Sequence, residues 1–301
     1  DPFDFALWKS AKADEPSWES PWGPGRPGWH IECSAMVCDR FGGTIDIHMG
    51  GADLQFPHHE NEIAQSEAAT GMPLATYWMH NGMVNVDGTK MSKSLGNFTT
   101  IRNLLDAPEG PDPMAIRMFV MQSQYRMPLD FTEAAIVAAK KGWETLNEGL
   151  NFGTQQGKKL GWTDETVELD EAAVTQFQTS MDDDFSTPGA VAVLFGLAKE
   201  LQRQGNLIVH EGKPDTEAAK LQQQWQTLVQ LAEVLGLEAQ TNEAVASGDG
   251  LSDADIEALI EQRAAAKKAK DYAESDRIRD ELSTQGITLI DKPGGVTAWH
   301  R

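Results

Sequence analysis

Cys33, His58 and Glu62 offer a thiolate, an imidazole and a carboxylate, three side-chain types that bind zinc. They fall within Trp29 to Glu62. This stretch reads Trp29-His30-Ile31-Glu32-Cys33-Ser34-Ala35-Met36, then Asp46-Ile47-His48-Met49-Gly50-Gly51-Ala52-Asp53, then Phe56-Pro57-His58-His59-Glu60-Asn61-Glu62. Pro57 suits the first position of a helix, where its missing N–H costs nothing. A helix starting there puts His58 and Glu62 one turn apart on one face. Cys33 must then come from a separate turn or helix start, so the three meet only in a folded domain. Zinc usually takes about four ligands, so water, substrate or another residue must complete the set. Spacing alone leaves plainer readings open. A His–Glu pair one turn apart is commonly a solvated pair worth roughly a few tenths of a kcal/mol. A lone Cys is commonly a small core residue. A second signal, Lys90-Met91-Ser92-Lys93-Ser94, favours chemistry, because its two lysines can reach a polyphosphate.

The elements that position these residues follow from the surrounding pattern. Thr44 to His48 alternates and is β-branched, which predicts a strand ending at Gly50-Gly51. A strand end followed by a helix is where open α/β sheets bind ligands. Tyr77 to Val86 predicts another strand, closed by the turn Asp87-Gly88. The loop Thr89–Asn97 is rich in small residues and is expected to be mobile. Ser20 to Gly28, dense in Pro and Gly, is expected to lack regular structure and is a candidate lid or a plain connection.

From Pro113 onward the pattern becomes helical. Met114 to Gln124 has helical spacing, and Thr132 is placed to cap a helix from Glu133 through Leu150. Apolar residues recur at three- and four-residue steps near 170–182, 187–205 and 213–236, predicting a bundle. The string Met181-Asp182-Asp183-Asp184-Phe185-Ser186-Thr187-Pro188 reads as a helix break, with Ser186 or Thr187 capping the next helix. A polar linker over 239–252 precedes a small α+β module. Its expected parts are helices to about Lys268 and over Asp271 to Thr284, Gly286 as a stop, and strands at Ile287 to Ile290 and Val296 to Trp299 around Pro293-Gly294-Gly295.

The 301 residues suit two or three domains. A net charge of −21 argues against indiscriminate nucleic-acid binding, although a local basic patch remains compatible. Arg263, Lys267, Lys268, Lys270, Arg277 and Arg279 cluster near the C-terminus among acids and read as an ordinary charged surface. No apolar run reaches bilayer length, so no membrane partner is expected. Two cysteines, Cys33 and Cys38, make no disulfide framework, and a reducing cytoplasm is expected. Cys38 is expected in the core. The Asp1 start is expected to be cut or processed.

Gly28 to Met36, Phe56-Pro57-His58-His59-Glu60-Asn61-Glu62-Ile63-Ala64-Gln65-Ser66 and Lys90 to Ser94 together resemble bacterial cysteinyl-tRNA synthetase. The resemblance runs through Met181-Asp182-Asp183-Asp184-Phe185 to Trp299. It implies part of a Rossmann-type class I catalytic domain with zinc site and signature loop (1–125), a tRNA-binding helical bundle (126–238), the linker, and an anticodon-binding module (253–301). It further implies that Cys33, His58 and Glu62 hold Zn2+, which takes the substrate thiolate and so rejects serine. Trp29 and His48 match positions beside bound cysteine. Gly51 and Asp53 match ATP ribose contacts. Lys90 and Lys93 match the loop that stabilises the phosphates, Lys93 also binding ATP, which carries Mg2+. Tyr272, Asp276 and Asp291 match anticodon-contacting positions; the family often has Trp where Tyr272 stands, and either ring can stack on a base.

The family's N-terminal part, with the first zinc cysteine and a His-Ile-Gly-His-type nucleotide motif, has no counterpart in these residues. The resemblance therefore covers the C-terminal two-thirds of the enzyme, with the remainder expected in cis or as a second chain and the complete enzyme expected to be a monomer. The expected function is ATP-dependent ligation of cysteine to tRNA(Cys), with this chain alone an incomplete enzyme. A cysteine ligase acting on an amino sugar would share the catalytic motifs but have no use for the tail from Ser252 to Arg301. A non-catalytic tRNA-binding fragment would lack cysteine-dependent ATP–pyrophosphate exchange.

Overall fold

The computed structural model describes residues 4–107, 110–163, 165–240, 253–269, 271–284, 287–292 and 296–300. The chain divides into two compact units, Asp1–Glu238 and Ala239–Arg301.

The first unit opens with β1 (Trp8–Ser10) and β2 (Gly25–Pro27), paired antiparallel with Lys9 opposite Arg26. The Pro/Gly-rich stretch thus contains a short strand that its composition did not predict. Its Pro27 is tolerated because β2 belongs to a two-stranded sheet and is therefore an edge strand. Next come α1 (Trp29–Phe41), β3 (Ile45–Gly51), α2 (Glu60–Thr70) and β4 (Ala75–Asn81). β3 and β4 pair in parallel, with His48 opposite Trp78 and Gly50 opposite His80. Parallel strands need a crossover, and α2 supplies it.

The wide turn Gln55–His59 precedes α2 and kinks at Phe56, which is extended at φ −135°, ψ 134°. The proline ring disfavours helical geometry in the residue before it. Past the kink the backbone is helical from Pro57 into α2, so the helix start expected at Pro57 holds. One expectation is corrected here, concerning the strand after α2. The strand foreseen over Tyr77–Val86 is two strands. β4 stops at Asn81, and β5 (Val84–Val86) resumes in another sheet, paired with β6 (Thr89–Lys90) and, in parallel, with β7 (Leu129–Phe131). The turn between β5 and β6 has positive φ at Asp87 (49°) and Gly88 (75°), the primed hairpin geometry that Asp-Gly favours.

Helices α3 (Ile101–Leu105), α4 (Pro113–Met121), α5 (Glu133–Gln156), α6 (Glu171–Asp182), α7 (Thr187–Glu211) and α8 (Ala218–Val234) complete the unit. Thr132 caps α5 by accepting from the Ala135 N–H at 3.1 Å. The helix runs past Leu150 because its last turns still pack. Phe152 is buried, and Gly153 lies flat against the Trp225 ring, where a Cβ would come within 2.3 Å. Ser186 is the N-cap of α7, but its side chain makes no capping bond; Pro188 in the first turn helps set the start instead. The core of α4 to α8 is apolar, built around Met118, Trp143, Leu146, Leu194, Leu201 and Leu228.

The second unit holds α9 (Asp253–Lys268), α10 (Tyr272–Thr284) and the antiparallel pair β8 (Thr288–Lys292) and β9 (Val296–His300). Ile256, Ile278, Leu282 and Ile287 form its core. The expectations for 241–252, Lys270, Gly286 and Pro293-Gly294-Gly295 lie outside the described residues. No helix among the described residues is long and apolar enough to cross a membrane.

Candidate zinc and nucleotide site

Cys33 sits on the second turn of α1, His58 on the wide turn before α2, and Glu62 on α2 itself. One ligand atom from each lies within 4.8 Å of the others. Glu62 is fully buried and His58 nearly so. The two Glu62 oxygens differ. Oε2 lies 2.5 Å from His48 Nε2 and is hydrogen-bonded to it. Oε1 lies 2.6 Å from His58 Nε2, yet it is buried without a properly directed hydrogen bond. A buried carboxylate oxygen without a directed hydrogen bond is costly unless a nearby positive charge compensates it. Burial, reinforced by the Glu62 carboxylate, pushes the Cys33 thiol up to about 11. A soft sulfur, an imidazole nitrogen and a carboxylate oxygen therefore lie within reach of one ion, and this donor set fits zinc.

A ring cluster holds the trio. Trp29 stacks on His58 with centroids 4.2 Å apart. His58 Nδ1 lies 2.8 Å from His30 Nδ1, in the buried first turn of α1, so one of the two rings donates to the other. On the other side His48 stacks on Trp78 at 4.6 Å, and His59 Nδ1 lies 2.8 Å from His80 Nε2. Burial, with His48 next, pushes His59 down to about 4, so it is neutral at pH 7. Gly50 makes room for this ring, since a Cβ there would fall 2.6 Å from His59 Cε1. His48, His59 and Glu62 form a second group with metal-ligand atoms in reach of one another. It lacks a sulfur, and its His59 Nδ1 is already hydrogen-bonded to His80.

Trp29 and His48 thus both touch the trio. Gly51 ends β3, and Asp53 follows in the tight turn Ala52–Leu54. Lys90 Nζ reaches Asp53 Oδ2 at 2.9 Å, so the signature loop meets the turn after β3. Lys93 is exposed in that loop, and Asn97 fastens the loop by accepting from Ser92 N–H and donating to the Lys90 carbonyl. Cys38 is exposed, contrary to the expectation of a core residue: it borders an open cavity between α1 and α2 instead of packing into a core. The described helix α10 places exposed Tyr272 and Asp276 one turn apart, and Asp291 lies on β8 opposite Thr297.

His30, His59, Trp78 and His80 were not foreseen. The alternation of Trp78 and His80 on one strand face was a usable signal. Their pairing with His48 and His59 depends on strand register, which spacing within one segment does not encode.

Residues 1–141 match the family described as tRNA synthetases class I (C) catalytic domain, and residues 176–240 match the DALR domain. The fold is shared with the LeuRS of Agrobacterium radiobacter K84, seen in a ternary complex with tRNA and LeuAMS, at a TM-score of 0.51 and 16% identity over 78% of this chain and 34% of that one. Together these matches give the fold of a portion of a class I synthetase catalytic domain followed by a helical domain. Residues 249–297 match the cysteinyl-tRNA ligase anticodon binding domain. Over its whole length the chain is 64% identical to the cysteine–tRNA ligase of Gloeothece citriformis, 62% to that of Trichodesmium erythraeum and 64% to that of Synechococcus elongatus. The chain is therefore a relative of the cysteinyl-tRNA synthetases, as its motifs implied. It spans 62% of the first of these relatives and 63% of the second.

Proposed function

We propose that this chain serves the ATP-dependent ligation of cysteine to tRNA(Cys), in the cytoplasm, through a cysteinyl-adenylate. The proximity of Cys33, His58 and Glu62 carries the reading, because a thiol, an imidazole and a carboxylate within reach of one another suit a thiophilic cation. Cys33, His58 and Glu62 would hold Zn2+, which supplies a soft Lewis acid able to tell a thiol from a hydroxyl. The protein's own residues do the rest. His48 fixes the Glu62 carboxylate, and His30 fixes the tautomer of His58 through its Nδ1. Trp29 and His48 wall the place for the cysteine side chain. Gly51 and Asp53 receive the ATP ribose, and Lys90 and Lys93 face the phosphates that carry Mg2+.

In the activation step a cysteine carboxylate oxygen attacks the α-phosphorus and pyrophosphate leaves. No enzyme nucleophile is needed. Positioning and charge stabilisation by the lysines lower the barrier. A hydroxyl of the terminal tRNA ribose then attacks the aminoacyl carbonyl and AMP leaves. Tyr272, Asp276 and Asp291 would read the anticodon, the ring by stacking and the acids by accepting from base amino groups. The match of 249–297 to an anticodon-binding domain favours tRNA over an amino sugar as acceptor.

Cysteine-dependent ATP–pyrophosphate exchange and charging of tRNA(Cys), assayed on the whole polypeptide in which these residues occur, test the reading. Exchange without charging would point to another acceptor. Binding of tRNA without exchange would leave only an RNA-binding role.

A further inference from the structure

The break between α6 and α7 is more than a helix stop. Asp184 and Phe185 both have φ in the left-handed region, 51° and 53°, which is unfavourable for residues with a Cβ. Such a conformation persists only where the surroundings over-determine it. The surroundings are the segment Gln124–Pro128, which joins α4 to β7 without regular structure. Arg126 grips the Asp184 carboxylate in two places, Nε to Oδ2 at 2.5 Å and Nη2 to Oδ1 at 3.0 Å. The Tyr125 hydroxyl donates to Oδ1 at 2.8 Å, and Gln124 Nε2 donates to the Asp184 carbonyl and to Oδ2. Arg126 first, then Tyr125, holds the Asp184 carboxyl down at about 2, so the clamp is ionised throughout the neutral range.

The gripped segment is the footing of the signature loop. The Tyr125 carbonyl accepts from Gly82 N–H at 2.8 Å, and the Met83 carbonyl accepts from Leu129 N–H at 2.9 Å. The approach is so close that a Cβ on Gly82 would fall 2.1 Å from the Met127 oxygen. From there β5 pairs with β7, Asp130 Oδ1 accepts from Gly88 N–H at the hairpin turn, and Met91 N–H donates to the Val84 carbonyl. A continuous hydrogen-bonded frame thus runs from Asp184 to Lys90. Nothing in it needs Asp182 or Asp183, which are exposed.

We propose that Asp184 is a positioning residue for the Lys90–Lys93 loop: by clamping Arg126 and Tyr125 it fixes the segment from which the loop-bearing strands hang. The proposal deepens the ligase reading and rests on it. Asp184 touches no substrate in this scheme; it sets where two lysines stand when phosphate charge develops. Small displacements of such groups are enough to slow a reaction by about 100-fold.

The test uses Asp184→Ala, Arg126→Ala and their double variant in the whole polypeptide. The maximal rate of cysteine-dependent ATP–pyrophosphate exchange should fall about 10- to 100-fold in Asp184→Ala, while zinc content and the KM for cysteine hold. The double variant should be no slower than the slower single one, because the pair acts as a unit. Backbone hydrogen exchange should rise over residues 82–97 and stay unchanged in α5 and α7. Tyr125→Phe deletes one contact, keeps the ion pair and should show a smaller fall, which covers the case of Asp184→Ala failing to fold. Raised hydrogen exchange over 82–97 with an unchanged rate would make the clamp merely structural and overturn the proposal. Unchanged hydrogen exchange there would overturn it whatever the kinetics. A parent without cysteine-dependent activity would overturn the ligase reading, while raised hydrogen exchange at 82–97 would still uphold the clamp.

Discussion

Two regions of the first unit bury very different things. Between residues 4 and 107 the buried side chains described are His30, Ser34, His58, His59, Asn61, Glu62 and Ser66, with only Leu74 and Ala75 as buried hydrophobics. Between residues 115 and 237 the interior is Leu, Val, Phe, Trp, Met and Ala, with a few amides and one threonine. Burying apolar area at roughly 25 cal/mol per Å2 stabilises the second region directly. Burying imidazoles and a carboxylate does not; at best their hydrogen bonds offset the desolvation they cost. The first region therefore rests its geometry on polar contacts, and the second on apolar burial. Variants in the two should fail in different ways.

The largest loss of stability is expected in the bundle. Leu201 is fully buried in α7, and Leu201→Ala should cost about 2 to 5 kcal/mol, the range for a buried leucine whose cavity only partly collapses. Denaturant unfolding measures it. Zinc content of the protein that remains folded should not change. A matching loss of zinc would mean that the two regions are not separable.

Lys93→Ala should have the largest effect on chemistry and almost none on stability, because the side chain is exposed. A fall of about 100- to 1,000-fold in the activation rate is expected, with cysteine affinity little changed, since the charge it meets develops mainly in the transition state. Rapid-quench measurement of adenylate formation separates the two. A normal rate with weakened cysteine binding would contradict the role.

How far each region was legible follows from the same contrast. The bundle's apolar residues recur with the helix's own period, so α6, α7 and α8 were readable from spacing alone. Their ends were less so. α7 continues to Glu211 past Gly205 through the consecutive Leu207-Ile208-Val209, a run that has no helical period to read, and α5 continues to Gln156 because Trp225, from another helix, packs on Gly153. In the site the residue types were readable and the partners were not. Cys33, His58 and Glu62 announce themselves by chemistry, and the extended Phe56 does not stop His58 and Glu62 from meeting. That His59 faces His80, or that Asp184 faces Arg126, depends on contacts across 21 and 58 residues that no local pattern encodes.

Acidity offers a smaller and more specific test of the zinc assignment. In the metal-free protein the Cys33 thiol is raised to about 11 and is protonated at neutral pH. Zinc takes the thiolate, so binding must release that proton. Apparent zinc affinity should rise about tenfold per pH unit around neutrality, and calorimetry in buffers of different ionisation enthalpy should count close to one proton released. Affinity that is flat with pH would mean that Cys33 is not a ligand.

The smallest expected effect, none at all, is the sharpest test of which cysteine matters. Cys38 lies on the same helix as Cys33, five residues further on, which at 3.6 residues per turn places it about 140° around the axis. It is exposed, while Cys33 is half-buried against Glu62. Cys38 borders instead a shallow, mostly apolar cavity of about 200 Å3 with Ile31, Ala35 and Ala69. Cys38→Ser exchanges one small exposed side chain for another, so neither stability nor zinc content should move. Cys33→Ser replaces the only soft donor of the trio with a hydroxyl that does not ionise near neutral pH, and zinc should be lost. Metal analysis of both variants against the parent decides the matter. Equal loss in the two would mean that α1 reacts to any change of cysteine rather than offering one of them as a ligand, and the assignment of the site would fall.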